Sequence, residues 1–275
     1  MLEQITYVNH LNERFEFGEN GVYAKTSELR NYEWTVTKQN DRIGTLDRQI
    51  SKRKLPVVII CDTADKAVAA KNRLYEVVEK DVLAMRYGKL IIGDFYLKCY
   101  ITKSQKKEYL TSKRFLQLEL TVTTDLPAWV KETRHVLRKN SESGIGGQNL
   151  DHPYDYAFDY KSETGSEKIS NTSIASSAFR MIFYGACVDP EVEIGGHLYK
   201  VLGEVGEREY VTIDAVAKTI YLTKEDGTQV NWFNNRYRRS YVFEPLPSGT
   251  VNVFWGGAYT IDVITFDERS EPKWI

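Results

Sequence analysis

The residues of this chain best equipped for chemistry form a short run, Val230-Asn-Trp-Phe-Asn-Asn-Arg236. Trp232 brings a flat apolar face, and Asn234, Asn235 and Arg236 bring donors and acceptors beside it. That combination holds a sugar by stacking on its ring and hydrogen-bonding its rim, and Trp255 would supply a second face. Tryptophans with such neighbours serve equally as sandwich core or as a protein interface, and both readings stand. A second set is cationic. Arg42, Arg48, Lys52, Arg53 and Lys54 lie in the polar stretch 38–54, offset in part by Asp41 and Asp47. The stretch reads as a solvated connection, or as a positive surface facing an acidic partner or passing DNA. The acidic pairs Glu191/Glu193 and Asp155/Asp159 suggest the acid and base of a glycoside hydrolase. Carboxylates two apart on a strand are, however, ordinary on solvated faces.

Other chemistries lack their residues. No glycine-rich phosphate loop, zinc-protease helix or nucleophile elbow is present, and Gly144-Ile-Gly-Gly147 has neither a strand before it nor a helix after it. Cys61, Cys99 and Cys187 are far apart and lie in or beside apolar runs, as reduced buried thiols do. His10, His135, His152 and His197 are scattered, with no ligand at metal spacing. The expectation is a protein that is not an enzyme, with no catalytic residue, no cofactor and no metal. A formal net charge of −1 gives no bulk attraction to nucleic acid. No run is long enough to span a membrane, and the N-terminus MLEQITYVNHLN has no signal-peptide pattern.

The elements that must position these residues are mostly strands. Eighteen Tyr, eleven Phe and five Trp in 275 residues favour sheets and their cores. The one stretch of mixed period is Leu55 to Ile101. Leu55 to Cys61 is an unbroken apolar run, expected as a strand buried on both faces. A helix follows over about 63–85, with Asp62 or Thr63 as N-cap, Asp65 in the first turn, and Ala67, Ala70, Leu74, Val77 and Val78 on one stripe. Gly88 ends that element, and Gly93-Asp94 marks a hairpin between Leu90–Ile92 and Phe95–Ile101. Before it come short strands at Gln4–Val8, Gly21–Thr26 and Tyr32–Thr37, then the stretch 38–54 as a long loop or an extended hairpin arm. After it, Lys103–Ser112 reads as a polar loop. Leu116, Leu118, Leu120 and Val122 alternate with polar residues as one face of a strand, and Asp125-Leu-Pro-Ala-Trp129 closes the unit.

Residues 138–150, rich in Ser and Gly, are expected to be a linker between a domain over 1–137 and an all-β domain over 151–275. In the second domain strands are expected at Tyr154–Tyr160, Phe179–Tyr184, Tyr210–Ile213, Thr219–Thr223, Tyr241–Phe243, Val251–Trp255 and Tyr259–Phe266. Hairpins are expected around Gly195-Gly196 and Asp226-Gly227, with Gly256-Gly257 joining the last two strands. Turn signals this frequent indicate a β-sandwich.

The order of these segments resembles a known family. Pro56–Cys61, the helix ending in Val78-Glu-Lys-Asp-Val82, Gly88–Gly93, Tyr96–Tyr100 and Leu118–Trp129 with its D-x-P-x-W ending are similar to the siphophage distal tail protein (Dit). So are Tyr154-Asp-Tyr156, Phe179–Gly185 followed by Pro190, Ile194–Tyr199, and Thr250–Gly256 followed by Pro272-Lys-Trp274. The resemblance implies a mainly β protein of two domains: an N-terminal β-sandwich with one packed α-helix and hairpin arms, and a C-terminal galectin-like β-sandwich. It implies a baseplate hub at the virion tail tip, assembled in the host cytoplasm as a hexameric ring. Its partners would be other copies of itself, the major tail tube protein, the tail-associated protein and receptor-binding or accessory baseplate proteins. DNA would only pass through, and no membrane is involved. The alternative is a carbohydrate-binding module for host cell-wall glycans.

Overall fold

The computed structural model describes residues 4–18, 21–108, 114–139 and 165–274. The protein is mainly β and divides into two compact units, Met1–Lys131 with Glu268–Ile275, and Glu132–Asp267. The change of unit falls between Lys131 and Glu132, ahead of the expected linker 138–150, of which only Arg138 and Lys139 are among the described residues.

In the first unit, β1 (Ile5–Val8), β2 (Arg14–Phe17) and β3 (Val22–Ala24) precede β4 (Thr35–Gln39) and β5 (Arg42–Asp47). Then come β6 (Ser51–Ile60), the helix α1 (Ala64–Ala84), β7 (Gly88–Ile92), β8 (Phe95–Glu108), β9 (Phe115–Thr124) and the start of β10 (Trp129–Leu137), whose residues from Glu132 onward belong to the second unit. The long strand β8 serves two sheet limbs. Its first half pairs with β7 and β10, and β1 and β2 extend that limb. Its second half pairs with β9, which continues through β6 to β3. Between the limbs lies a single core containing Tyr7, Phe17, Leu55, Val57, Leu97, Leu118 and Trp129, with Ala67, Leu74, Val77 and Val78 brought in by α1.

Several expectations hold here in detail. Thr63 caps α1, its hydroxyl accepting from the Lys66 amide at 3.3 Å. The predicted stripe is buried, Ala70 only partly, and Leu116, Leu118, Leu120 and Val122 all point inward. Others need correction. The run Leu55–Ile60 is not buried on both faces: odd positions are, but Ile60 is 52% exposed, because no layer in this unit covers the outer side. The strand also starts at Ser51, so the arm is shorter than 38–54. The helix ends at Met85, in the left-handed conformation with φ 51°, and Gly88 belongs to β7. A Cβ on Gly88 would lie 2.3 Å from the Asp81 carboxylate and the Tyr7 hydroxyl, so close approach explains that glycine. Residues 103–108, read as loop, extend β8, because β9 pairs with them across two register shifts.

In the second unit a sheet ordered β19 (Gln229–Asn231), β18 (Thr219–Thr223), β17 (Tyr210–Asp214), β12 (Phe179–Tyr184), β21 (Ile261–Arg269) opposes a second sheet. The second is β11 (Gly165–Asn171), β20 (Gly249–Trp255), β14 (Glu191–Ile194), β15 (His197–Lys200), and a small ladder joins β13 (Cys187–Val188) to β16 (Glu204–Val205). Phe179, Met181, Phe183, Val211, Ile213 and Val263 pack with Ile169, Val192, Ile194, Val253 and Trp255 in one core. The Gly195-Gly196 hairpin is present, both glycines having positive φ as a tight primed turn requires. Tyr241–Phe243 is a turn rather than a strand, closed by the Glu244 amide on the Tyr241 carbonyl at 3.0 Å. Gly256-Gly257 does not make a hairpin, because β20 and β21 lie in different sheets. The expected strand Tyr154–Tyr160, the pair Asp155/Asp159 and Gly144–Gly147 lie outside the described residues.

Candidate partner-binding surfaces

The basic stretch resolves into residues with different roles. β4 and β5 form a separate two-stranded hairpin turned by Asn40 and Asp41, both at positive φ. Arg42 stands exposed on it. Val36, Ile43, Leu46 and the following Ile50 are also exposed, Ile43 at 67%. A lone two-stranded hairpin is marginal in water, and one that displays aliphatic side chains on it has a face to cover. At its base the Arg48 guanidinium sits 4.5 Å from the Trp34 ring centroid and donates to the Ser270 hydroxyl at 3.2 Å. Lys52 is exposed. Lys54 lies 3.7 Å from Glu119.

Arg53 is different, being only 6% exposed. It donates to the Leu29 carbonyl at 2.7 Å, and burial lowers its pKa from the ordinary arginine value. It is a structural cation inside the unit and is withdrawn from any surface. Arg30 is buried likewise, donating to the Pro272 carbonyl at 2.8 Å with its guanidinium 3.9 Å from the Trp274 ring. It thus ties the returning C-terminal segment to the first unit. Arg53 falls on the buried face of its strand, two residues before Leu55, whereas nothing in the spacing of the sequence marks Arg30.

At the far end of α1, Asp81 continues the predicted stripe, three and four residues after Val78 and Val77, and is fully buried there as a carboxylate. It accepts from the Tyr7 hydroxyl at 2.6 Å and the His10 amide at 2.8 Å, with the His10 ring Nδ1 at 2.5 Å. Burial and the adjacent carboxylate push the Tyr7 phenol well above its usual range. Asn9 donates to the Val77 carbonyl at 3.2 Å, and Lys80 holds Glu13 at 2.8 Å. These contacts fasten the β1–β2 turn to the helix and consume the polar groups involved. The network is a structural clamp.

In the second unit the run 230–236 is brought together, but mostly by its own backbone. The Asn235 side-chain amide donates to the Leu202 carbonyl at 2.8 Å, and the Leu202 amide returns a bond to the Asn235 carbonyl at 2.7 Å. The Arg236 guanidinium lies 4.1 Å from the Phe233 ring and donates to the Phe233 carbonyl at 2.7 Å. Trp232 packs partly buried over Gly203, where a Cβ would meet the indole at 3.0 Å. Asn231 and Asn234 are exposed. Trp255 is not with them: it is 4% exposed in the core. Glu191 pairs with Lys200 at 2.6 Å across the β14–β15 hairpin.

Cys61, Cys99 and Cys187 are reduced, none of them in a disulfide. Burial pushes Cys99 up to about 12 and the half-buried Cys187 to about 11, which keeps both protonated and unreactive near neutral pH. Among the described residues no group of three His, Cys, Asp or Glu is placed to hold a metal ion. Among the described residues no helix is long and apolar enough to cross a membrane.

No family model and no curated protein matches the chain. Solved structures do. A chain of the phage P2 baseplate, in its activated conformation with Ca, superposes with a TM-score of 0.62 at 12% identity, covering 99% of this chain and 100% of that one. The corresponding Sr structure gives 0.61 at 12% identity, covering all of both chains. The crystal structure of SPP1 Dit, described as a paradigm of hub adsorption apparatus in phages infecting Gram-positive hosts, gives 0.56 at 9% identity, covering 96% of this chain and 99% of that one. At these identities the likeness is one of fold, and it runs the full length of both partners.

Proposed function

We propose that this chain, sharing its fold with phage baseplate hub structures, is a structural tail-tip protein. It forms a hexameric ring that joins the tail tube to the tail-associated protein, carries receptor-binding or accessory baseplate proteins, and leaves a channel for DNA. The observation that carries the reading is the end-to-end likeness to the P2 baseplate chain and to SPP1 Dit. The β4–β5 hairpin supports it. Its exposed aliphatic side chains match the need of a closed ring, in which each subunit offers a neighbour a surface different from the one it receives. Arg42, Lys52 and Lys54 remain on the surface for a ring or channel role, whereas Arg53 does not.

The chemistry is positional and calls for no catalytic residue, cofactor or metal. The work is done at the virion tail tip after assembly in the host cytoplasm. The sugar-binding alternative has no comparable support, because Trp255 faces the core and Trp232 lies against Gly203. Co-expression with tail tube and tail-associated proteins, followed by mass measurement and negative-stain imaging, tests the proposal. A six-fold ring recruited to tube ends is the expected result. A protein that neither oligomerises nor joins either partner would overturn it.

A further inference from the structure

Two cavities stand out, and their charges separate them. One of about 700 Å³ beside the start of α1 mixes Arg14, Lys66 and Arg73 with Glu16 and Asp62, so it selects no sign of charge. The other, about 560 Å³ in the second unit, is lined by Lys218, Arg236, Arg238 and Arg239 and, among the described residues, by no carboxylate. We propose that this second cleft is a docking site for an acidic segment of a partner protein, one that alternates carboxylates with aromatic or aliphatic side chains.

The cleft is built before any partner arrives. Its backbone is held by the Tyr237 amide on the Lys200 carbonyl at 3.1 Å and by His197 Nε2 at 3.0 Å from the Tyr241 carbonyl. Two of the cations are already placed: Arg236 over the Phe233 ring, and Lys218 with its Nζ 5.5 Å from the centroids of both Tyr241 and Phe243. The other two are unspent. Arg238 and Arg239 are exposed and have no hydrogen-bond or ion-pair partner among the described residues. Two other cations of this unit do find carboxylates, Arg208 on Glu225 at 2.6 Å and Arg180 on Asp214 at 2.8 Å. Four like charges around one cleft repel one another, and an anionic occupant relieves that repulsion while gaining charge-assisted hydrogen bonds.

The walls decide which anion. Val242 and Phe243 are buried behind the cleft and Tyr241 is 54% exposed at its edge, so the cationic rim surrounds apolar surface. A peptide bearing both carboxylates and apolar side chains uses rim and wall together, and arginine and tyrosine are the side chains that carry such interfaces. A sugar-phosphate chain would use the rim alone. The inference rests on this cleft and stands whether or not the tail-tip reading does.

The test uses the full-length protein and a fluorescein-labelled decapeptide alternating Glu with Phe and Leu, read by anisotropy. Controls are the same peptide with Gln for Glu, the same with Gly for Phe and Leu, and the oligonucleotide (dT)10. Expected are saturable binding that weakens with salt, loss of ~10-fold or more in affinity for either peptide control and for (dT)10, and a similar loss in the Arg238→Glu/Arg239→Glu variant. Both arginines are exposed, so that variant should fold; circular dichroism checks it, and Arg238→Gln/Arg239→Gln repeats the test without charge reversal. Equal binding by variant and parent, by the Gln peptide, or by (dT)10 would overturn the proposal. So would self-association that the arginine variants abolish and the peptide does not displace, which would make the cleft a contact between copies of this chain.

Discussion

Within the first unit, the β4–β5 hairpin and the far end of α1 depart from the usual distribution of polarity in opposite directions. The hairpin puts Val36, Ile43 and Leu46 into water. The helix end takes Asp81 out of water, and nearby strands do the same to Arg53. The buried polar groups are satisfied within the subunit: Asp81 by Tyr7 and His10, Arg53 by the Leu29 carbonyl. The exposed apolar groups have nothing in the subunit to satisfy them. The difference separates residues that serve the fold of one chain from residues that serve its assembly, and it does so without reference to any relative.

The comparison can be broken at its strong end first. Asp81→Ala leaves the Tyr7 hydroxyl and the His10 amide buried without their acceptor, and should destabilise the protein by ~3 kcal/mol in urea unfolding. A loss under ~1 kcal/mol would mean the clamp is dispensable. Arg53→Met keeps most of the volume but strands the Leu29 carbonyl, for an expected loss of ~2 kcal/mol by the same measurement. Alkaline pH probes the buried side by another route. The folded pKa of Cys99 is raised to about 12, so its contribution to stability is intact below the ordinary thiol pKa and is lost as pH climbs from about 9 towards 12. Melting temperature should therefore fall more steeply over that window in the parent than in Cys99→Val, and parallel slopes would contradict the assignment. At the weak end, Val36→Ser/Leu46→Ser removes a cross-strand pair from the hairpin. It should change subunit stability by no more than ~0.5 kcal/mol and still abolish ring formation with tail partners. A large stability loss with assembly intact would invert the comparison.

Much of the fold was legible in the sequence where a pattern repeats with the period of its own element. The α1 stripe, the alternation from Leu116 to Val122 and the Gly195-Gly196 and Asp226-Gly227 turns are all where they were expected. The errors have a common cause. Ser51–Lys54, expected within a loop or hairpin arm, and Lys103–Glu108, expected as loop, are polar, yet they are strand because a neighbouring strand reaches them and polar side chains suit the outer face of a pair. Tyr241–Phe243 is apolar and expected as strand, yet it is a turn that buries Val242 and Phe243 and exposes Tyr241. Composition reports whether a side chain tolerates burial, and says little about whether a backbone finds a partner. The candidate sites follow the same division. Trp232, Asn235 and Arg236 are adjacent in space as they are in sequence, while Trp255 faces the core because strand alternation carries it inward.

What the sequence determined by itself is local: one helix with its cap, the alternating strands, the hairpin glycines, the absence of catalytic motifs, and an order of segments specific enough to resemble the Dit family. Each follows from short-range sterics and hydrophobic period, which a chain carries with it into any fold. Only the tertiary structure decided which partners satisfy Asp81 and Arg53 inside the unit, that β20 and β21 belong to different sheets, that the C-terminal segment returns to the first unit, and that four cations meet around a cleft whose described lining holds no carboxylate. Those outcomes depend on contacts between residues tens to hundreds of positions apart, where burial energy and charge pairing are settled by which surfaces the whole fold brings together.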